Sequence, residues 1–405
     1  MKILHIVPTY FPATRYGGPI QSVHDLNKGL ARAGHQVTVF TTNIDGNKDL
    51  SVPTNSPQIL DGVEVWYFSA IFRPWFFSYQ MLLTIRSKLV DFDLIHITSV
   101  FLSVSTLGAY YAKKFNKPYI ISPRGSLMVE PLKKSGFKKH LYLSFIEKCN
   151  LAGASAIHFT TELEKKEYGA MGLPMKNYLV IPNFLEPISN FPERGMFRTK
   201  FGLKPEEKII LSLGRLNWKK GFDTLIPAFA KVQQNIPEVK LVIVGGDEGG
   251  YKREIEKLIA NGEWQIANSK EPAANGLGEG GEKLKDKIIF TGELKGEEKL
   301  SAYQDADLFV LPSYAENFAM TVLESAQCGV PSIVTPAVGL AEEIQKNGAG
   351  LVVEKDSEKF AEAIIAILKD DGKRLEMGKR AKLMVEIFTP SKLAPLWEAG
   401  YHRFI

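Results

Sequence analysis

Glu316 and Glu324 lie eight residues apart in the stretch from Ser313 to Pro331, on either side of a predicted helix start. The apolar run before them, Asp307 to Pro312, reads as a buried parallel strand. An amphipathic helix follows, ends at Gly329-Val330-Pro331, and gives way to a second buried strand at Ser332–Thr335. Charge at a strand's carboxyl end lies where open α/β sheets bind ligands. The free N–H groups and positive dipole end of the helix suit that spot to phosphate. At ~1.5 Å per residue, Glu324 should lie about 12 Å beyond Glu316. A diphosphate on the helix start then has room for a polyol at each glutamate, which is the outline of a nucleotide sugar. Alone the spacing is weak, because solvated glutamates eight apart recur by chance.

Its weight comes from upstream. A strand from Leu211 ends at Gly214, and Arg215 and Lys220 flank the short loop before a helix at Phe222–Gln234. Two cations at the carboxyl edge of a sheet form a natural diphosphate clamp, with arginine offering a fork and lysine a point charge. Such a clamp tightens as a departing diphosphate gains charge. The alternative is a pair of exposed surface cations. Near the start, Gly17 and Gly18 precede a helix at Ile20; adjacent glycines let backbone approach a ligand closely, or simply make a turn.

Competing motifs carry less. Asp91-Phe92-Asp93 and Asp305-Ala306-Asp307 have the letters of a metal-binding Asp-x-Asp, but each leads into a strand and so sits at the wrong end. The glycine pattern from Gly276 to Gly281 matches a dinucleotide fingerprint without the strand that must precede it. His96, in the apolar run Leu94–Thr98, is either a satisfied core histidine or, near a strand's carboxyl end, a group reaching a ligand.

At 405 residues, 45% hydrophobic and 23% charged, the chain suits two ordinary soluble domains. Lys2 to Pro8 is too short for a signal peptide and reads as a first strand, and no apolar run approaches a membrane span. Cys149 and Cys328 are expected to be reduced packing residues of a cytoplasmic protein. Residues 1–190 carry 20 Lys/Arg against 13 Asp/Glu, a balance of +7, and the rest a balance of −2, within a net +5. Basic residues cluster at Lys133-Lys134 and Lys138-Lys139-His140, and aromatics at Trp66–Phe68 and Phe72–Phe77. Such a face suits an anionic membrane surface or a lipid-phosphate acceptor; the plain alternative is a solvated helix end beside core aromatics. No basic-aromatic module for nucleic acid is present.

Short apolar runs alternate with helical patterns in two series, from Ile3–Val7 to Tyr178–Ile181 and from Lys208–Leu213 to Leu351–Val353. Alternation of this kind implies parallel sheets covered on both faces, hence two Rossmann-like α/β domains. The boundary is expected within Pro182–Pro192, where Pro and Asn break all periodicity, and residues 261–286 read as an inserted surface loop.

Several motifs occur in order. They are Gly-Gly before the first helix, Gly34-His35 after it, Gly214-Arg215-Leu216 with Lys220-Gly221, Phe290-Thr291-Gly292, Ala306 to Ser313, and the paired glutamates. Together they resemble the family 4 retaining glycosyltransferases (glycosyl transferases group 1) of the GT-B fold. The resemblance spans nearly the whole chain and is strongest from Leu211 to Pro336. It implies doubly wound parallel-sheet domains facing a cleft: an acceptor-binding domain over 1–186 and a nucleotide-sugar domain over 187–388. Residues 389–405 would return to the first domain.

The resemblance implies roles by position. Glu316, Arg215 and Lys220 would be catalytic, with Glu316 on hydroxyls of the transferred sugar and the cations on the diphosphate. Asn317, Phe318 and Ala319 would offer backbone N–H groups, while Met320, Thr321 and Val322 form the phosphate-facing turn. Glu324 would hold the ribose, Gly292, Glu293 and Leu294 would lie beside the base, and Gly17 and Gly18 would close over the diphosphate. Arg124 stands where many relatives carry a histidine, and with His96 it is an acceptor-side candidate. The linker reads Pro182-Asn183-Phe184-Leu185-Glu186, without the Gly and Asp usual in relatives. The implied enzyme is a metal-independent retaining hexosyltransferase without cofactor. Its donor would be a UDP-, GDP- or ADP-sugar and its acceptor a glycan or lipid-linked molecule. It would serve cell-surface polysaccharide synthesis, at the inner face of the cell membrane. The rival readings are a nucleotide-sugar epimerase, which would use carboxylates such as Glu130 or Glu162, and a non-catalytic sugar-nucleotide-binding scaffold.

Overall fold

A computed structural model describes residues 1–133, 136–261 and 284–405. Most of the stretch expected as an insert, the Gly276–Gly281 pattern and Lys134 lie outside the described residues. The chain divides into two compact units, Met1–Glu186 with Ile387–Ile405, and Pro187–Glu386.

The first unit contains β1 (Lys2–Ile6), β2 (Gln36–Thr42), β3 (Ile44–Asp45), β4 (Lys48–Asp49), β5 (Pro57–Leu60), β6 (Val63–Phe68), β7 (Leu94–Thr98), β8 (Tyr119–Ser122), β9 (Ala156–Phe159) and β10 (Tyr178–Val180). Its sheet runs β10-β9-β8-β7-β1-β2-β6-β5, while β3 and β4 form a separate small hairpin. Strands β7, β8 and β9 are buried along their whole length, the pattern of a parallel sheet covered on both faces. The core joins Leu4, Ile6, Ile95, Ile97, Ile121 and Phe159 to helices on the sheet. The closing helix Pro390–His402 belongs to this unit and buries Trp397 and Tyr401 completely.

One edge departs from the expected parallel pattern. Strand β5 pairs antiparallel with β6 through the two-residue turn Asp61-Gly62, both at positive φ (50° and 84°). Asp-Gly between short strands is the strongest local hairpin signal, and the left-handed backbone it supplies matches the strand twist. That signal was present in the sequence; the alternation of neighbouring elements masked it.

The second unit contains β11 (Lys208–Leu213), β12 (Val239–Val244), β13 (Ile288–Gly292), β14 (Leu308–Leu311), β15 (Ser332–Val334) and β16 (Gly350–Val352). All are parallel, in the order β13-β12-β11-β14-β15-β16. The order reverses between β11 and β14, so the crossover helices leave on opposite faces there and open a crevice at the strands' carboxyl ends. The Asp305 and Asp307 carboxylates sit at the other end and brace the fold. Asp305 accepts from the backbone N–H groups of Gly195 and Arg198, and Asp307 pairs with Arg198 and Arg374.

The loops after β11 and β14 touch. Gly221 has a φ of 69°, and a Cβ there would stand 2.0 Å from the carbonyl oxygen of Pro312. Backbone, not a flexible side chain, fills that space. Gly221→Ala should therefore lower stability by about 2–3 kcal/mol, from overpacking and left-handed strain together. A urea titration followed by circular dichroism should show the lower midpoint; an unchanged midpoint would mean the two loops are free to separate.

Candidate functional site

The switch point brings Lys220 and Glu316 together. Lys220 closes the 3-10 turn Trp218–Lys220 after β11, a turn capped by Asn217, whose side chain accepts from the Lys219 N–H at 3.0 Å. Its ammonium lies 2.5 Å from Glu316 Oε1, with the two side chains only 14% and 20% exposed. The lysine reaches there across Gly214, where a Cβ would meet Lys220 Cε at 2.7 Å. Any side chain at 214 would displace the cation.

Glu316 is held by its own backbone. Its N–H donates to Ala337 O at 3.0 Å and its carbonyl accepts from Gly339 N–H at 2.9 Å, so the loops after β14 and β15 zip together. Two residues before it, Tyr314 N–H donates to Lys219 O at 2.8 Å, and the Tyr314 hydroxyl donates to Asp223. Burial lowers the pKa of the Lys219 ammonium from its ordinary value, while Glu316 pulls the other way.

Arg215, on the same loop, is half exposed and turned outward. Its guanidinium is 2.9 Å from Glu248 Oε1, and Asn217 donates to the other oxygen of that carboxylate at 2.6 Å. The two expected phosphate cations thus stand on one loop with different partners. Glu248 and Asn217 were not among the expected site residues; nothing in their spacing marks them, because β12 brings Glu248 in from another part of the chain.

Asn317, Phe318 and Ala319 lead into the helix whose first residues are Met320, Thr321 and Val322. Ala319 adopts φ 69°, ψ 65°, and caps the helix Met320–Gln327 with no side-chain hydrogen bond. Phe318 and Ala319 are buried, whereas Met320 and Thr321 are half-buried at the helix start and Val322 is turned into the core. The unoccupied cap leaves helix N–H groups and the positive dipole end beside the Lys220–Glu316 pair, an arrangement suited to anionic oxygen.

Glu324 lies one turn into that helix. Its two oxygens accept from Lys299 Nζ at 2.9 Å and from the Tyr303 hydroxyl at 2.8 Å. Tyr303 is fully buried, and burial together with this carboxylate raises its pKa far above the ordinary phenol range, so it remains a donor. Each ionised carboxylate oxygen keeps a second acceptor position, which leaves Glu324 able to take hydroxyl donors from a ligand. Gly292 closes β13 at φ 76°; Glu293 beside it is exposed and pairs with Lys295 at 3.6 Å, and Leu294 is buried.

In the first unit, Gly17 caps the helix Gly18–Arg32 at φ 78°, with no side-chain cap and with Pro19 in the first turn. Arg124 follows β8 at φ 53° and donates to Asn183 Oδ1, and its buried Nε has no hydrogen-bond partner. Burial lowers its pKa to about 10, against the pull of Glu164. His96 is different. It is wholly buried, its ring nitrogens hydrogen-bond to Tyr401 Oη at 2.7 Å and Ser122 Oγ at 2.6 Å, and it stacks on His5 at 4.2 Å. Both nitrogens are occupied, and burial pushes its pKa well below the ordinary range. His96 is therefore a neutral packing histidine and presents no atom to an acceptor. Glu130 and Glu162 each pair with a lysine one helical turn on, at Lys133 and Lys165, as surface carboxylates do.

The pattern described as "Glycosyl transferases group 1" matches residues 207–370, and that described as "Glycosyl transferase 4-like domain" matches residues 17–183. An uncharacterized glycosyltransferase of Methanocaldococcus jannaschii is 28% identical over 403 residues, covering 94% of this chain and 93% of that protein. Among solved structures, sucrose-phosphate synthase from Thermosynechococcus elongatus superposes with a TM-score of 0.73 at 23% identity, over 99% of this chain and 98% of the other. Anabaena HepE, solved with UDP and glucose, gives 0.72 at 17% identity over the whole of both chains. Two α/β units of this kind, each built on a largely parallel sheet, are the GT-B fold. The chain belongs to the group 1, family 4 glycosyltransferases.

If Glu324 holds the ribose as expected, Tyr303→Phe should weaken nucleotide binding about fivefold, since the carboxylate loses a buried donor contributing roughly 1 kcal/mol. Isothermal titration with the donor nucleotide measures this. Undiminished affinity would show that Glu324 orientation does not govern binding.

Proposed function

We propose that this chain is a metal-independent retaining hexosyltransferase that moves a sugar from a nucleotide-diphosphate sugar to a glycan or lipid-linked acceptor. The observation that supports it most is the Lys220–Glu316 pair at the switch point, beside the uncapped start of the helix Met320–Gln327. Lys220 has three donors, so it can keep Glu316 while taking a phosphate oxygen, and Arg215 can exchange Glu248 for the diphosphate. Glu316 then accepts from hydroxyls of the transferred sugar, and Glu324 from the ribose.

In the reaction, the bond from the anomeric carbon to the phosphate oxygen breaks and its electron pair leaves with the nucleoside diphosphate. The acceptor oxygen bonds to the same face of that carbon, and its proton passes to the departing diphosphate. Negative charge grows on the phosphates as this happens. Lys220, Arg215 and the helix amides gain most at that moment, which is the condition for catalysis rather than mere binding. These groups stand in for the cation that a metal would supply. The basic first unit is the acceptor-binding side, and its charge suits a lipid-phosphate acceptor at the inner face of the cell membrane, in cell-surface polysaccharide synthesis.

UDP, GDP and ADP, with and without magnesium or EDTA, form the first test by thermal shift. One nucleotide should raise the melting temperature irrespective of magnesium, by mass action on the folded state. Lys220→Ala should abolish that shift and lower kcat/KM by about 10²–10³-fold, the usual loss for one transition-state donor. A shift that requires magnesium, or a Lys220→Ala variant with near-normal turnover, would overturn the assignment.

A further inference from the structure

The helical run from Phe137 to Gly153 in the first unit is apolar on two sides. It consists of the helix Phe137–Tyr142, a single π turn Leu143–Glu147, and the helix Lys148–Gly153. Leu143, Asn150 and Leu151 point inward and are buried, as an ordinary surface helix requires. The outward side should then be polar. Instead Phe137 and Phe145 are 76% and 74% exposed, and Leu141 and Ile146 are exposed with them. Phe137, Leu141 and Phe145 follow at intervals of four, one stripe along the run, and the π turn places Ile146 outward beside Phe145.

The stripe continues into a neighbouring loop. The Trp75 ring packs edge-on against Tyr142 at 6.0 Å, and Trp75 and Phe72 are each half exposed. Along residues 137–149 the formal charges turned outward are those of lysines, and beside Trp75 the exposed Asp49 is paired with Arg73. Lys139 reaches over the Phe101 ring at 4.6 Å, and His140 and Lys148 are exposed. The only acid from 137 to 149 is Glu147, which is turned inward to accept from the Phe101 N–H at 3.0 Å. A helical face that is apolar, flanked by lysines and free of outward acids from 137 to 149 complements an anionic bilayer, where rings enter the headgroup boundary and ammonium groups stay in it. A protein-binding face would be poor in lysine and rich in arginine. Here the cations are lysines, with no arginine between 137 and 149.

We propose that this run is a membrane-docking element, inserting Phe137, Leu141, Phe145 and Ile146 into the surface of an anionic bilayer, with Trp75 and Phe72 beside them. The inference rests on the membrane contact within the reading above and assigns it to named residues. Docking is peripheral: among the described residues, no helix is long and apolar enough to cross a membrane.

Cosedimentation of the full chain with vesicles tests it, using phosphatidylcholine alone and phosphatidylcholine with about 30 mol % phosphatidylglycerol. The chain should bind the anionic vesicles, bind neutral ones far less, and be released by high salt. Phe137→Ser combined with Phe145→Ser should cut partitioning at least about tenfold, as expected for two lost aromatic insertions. The thermal shifts produced by UDP, GDP and ADP should be the same in that variant and the parent chain. Undiminished sedimentation of the variant, or no binding by the parent chain, overturns the proposal. So does a dimer detected by light scattering and dissolved by the two substitutions, which would mean a second copy covers the face. Vesicle binding without any nucleotide shift would leave docking intact and count against the transferase reading alone.

Discussion

The second unit depends on how closely two strand ends approach. Strands β11 and β14 are neighbours at the reversal of strand order, and their following loops meet where Gly221 lies on the Pro312 carbonyl. Only a residue without a Cβ allows that contact. The contact in turn lets Tyr314 N–H bond to Lys219 O and lets Lys220 reach Glu316 over Gly214. Two glycines therefore determine whether a cation and a carboxylate stand at one point of the sheet edge. The pair is mostly enclosed, so each partner needs the other until a ligand arrives.

Around that point the unit keeps its charges poised. The helix Met320–Gln327 begins without a side-chain cap, leaving its dipole end uncompensated, while Glu324 is anchored from below by Lys299 and a buried tyrosine. Arg215 is tethered to Glu248 rather than to the central pair. Lys220 and the helix N–H groups need little reorganisation, the property that makes fixed dipoles effective against growing charge, whereas Arg215 would have to leave Glu248 to join them.

The first unit spends its buried polar groups differently. His96 and His158 share Ser122, and His5 bonds to Asn27 and Thr98, so the sheet's interior carries a satisfied neutral network. Burial lowers the pKa of each histidine, to about 3 for His5, and no charge results there near neutrality. Apart from Arg124, whose Nε is buried, the unit's positive charge lies toward its surface, part of it along an apolar helix face.

Much of the architecture was legible in the sequence. Strands β7, β8, β9, β11, β14 and β15 fall within the apolar runs that predict them, because a strand buried on both faces is mostly apolar. The antiparallel β5 escaped that logic, since a half-exposed edge strand has no such run. The candidate site's residue types were also visible in the sequence: Arg215, Lys220 and Glu316 as charges at the edges of predicted elements, and Glu324 as a charge within a predicted helix. What only the tertiary structure decided is pairing. Lys220 is 96 residues from Glu316, and Glu324 is 25 from Lys299. His96 could have reached a ligand until Tyr401, 305 residues away, was found to occupy its ring. Periodicity is a local property imposed by backbone geometry and burial, so a sequence displays it; a contact between distant residues exists only once strand order has been chosen, and strand order is set by the packing of the whole sheet.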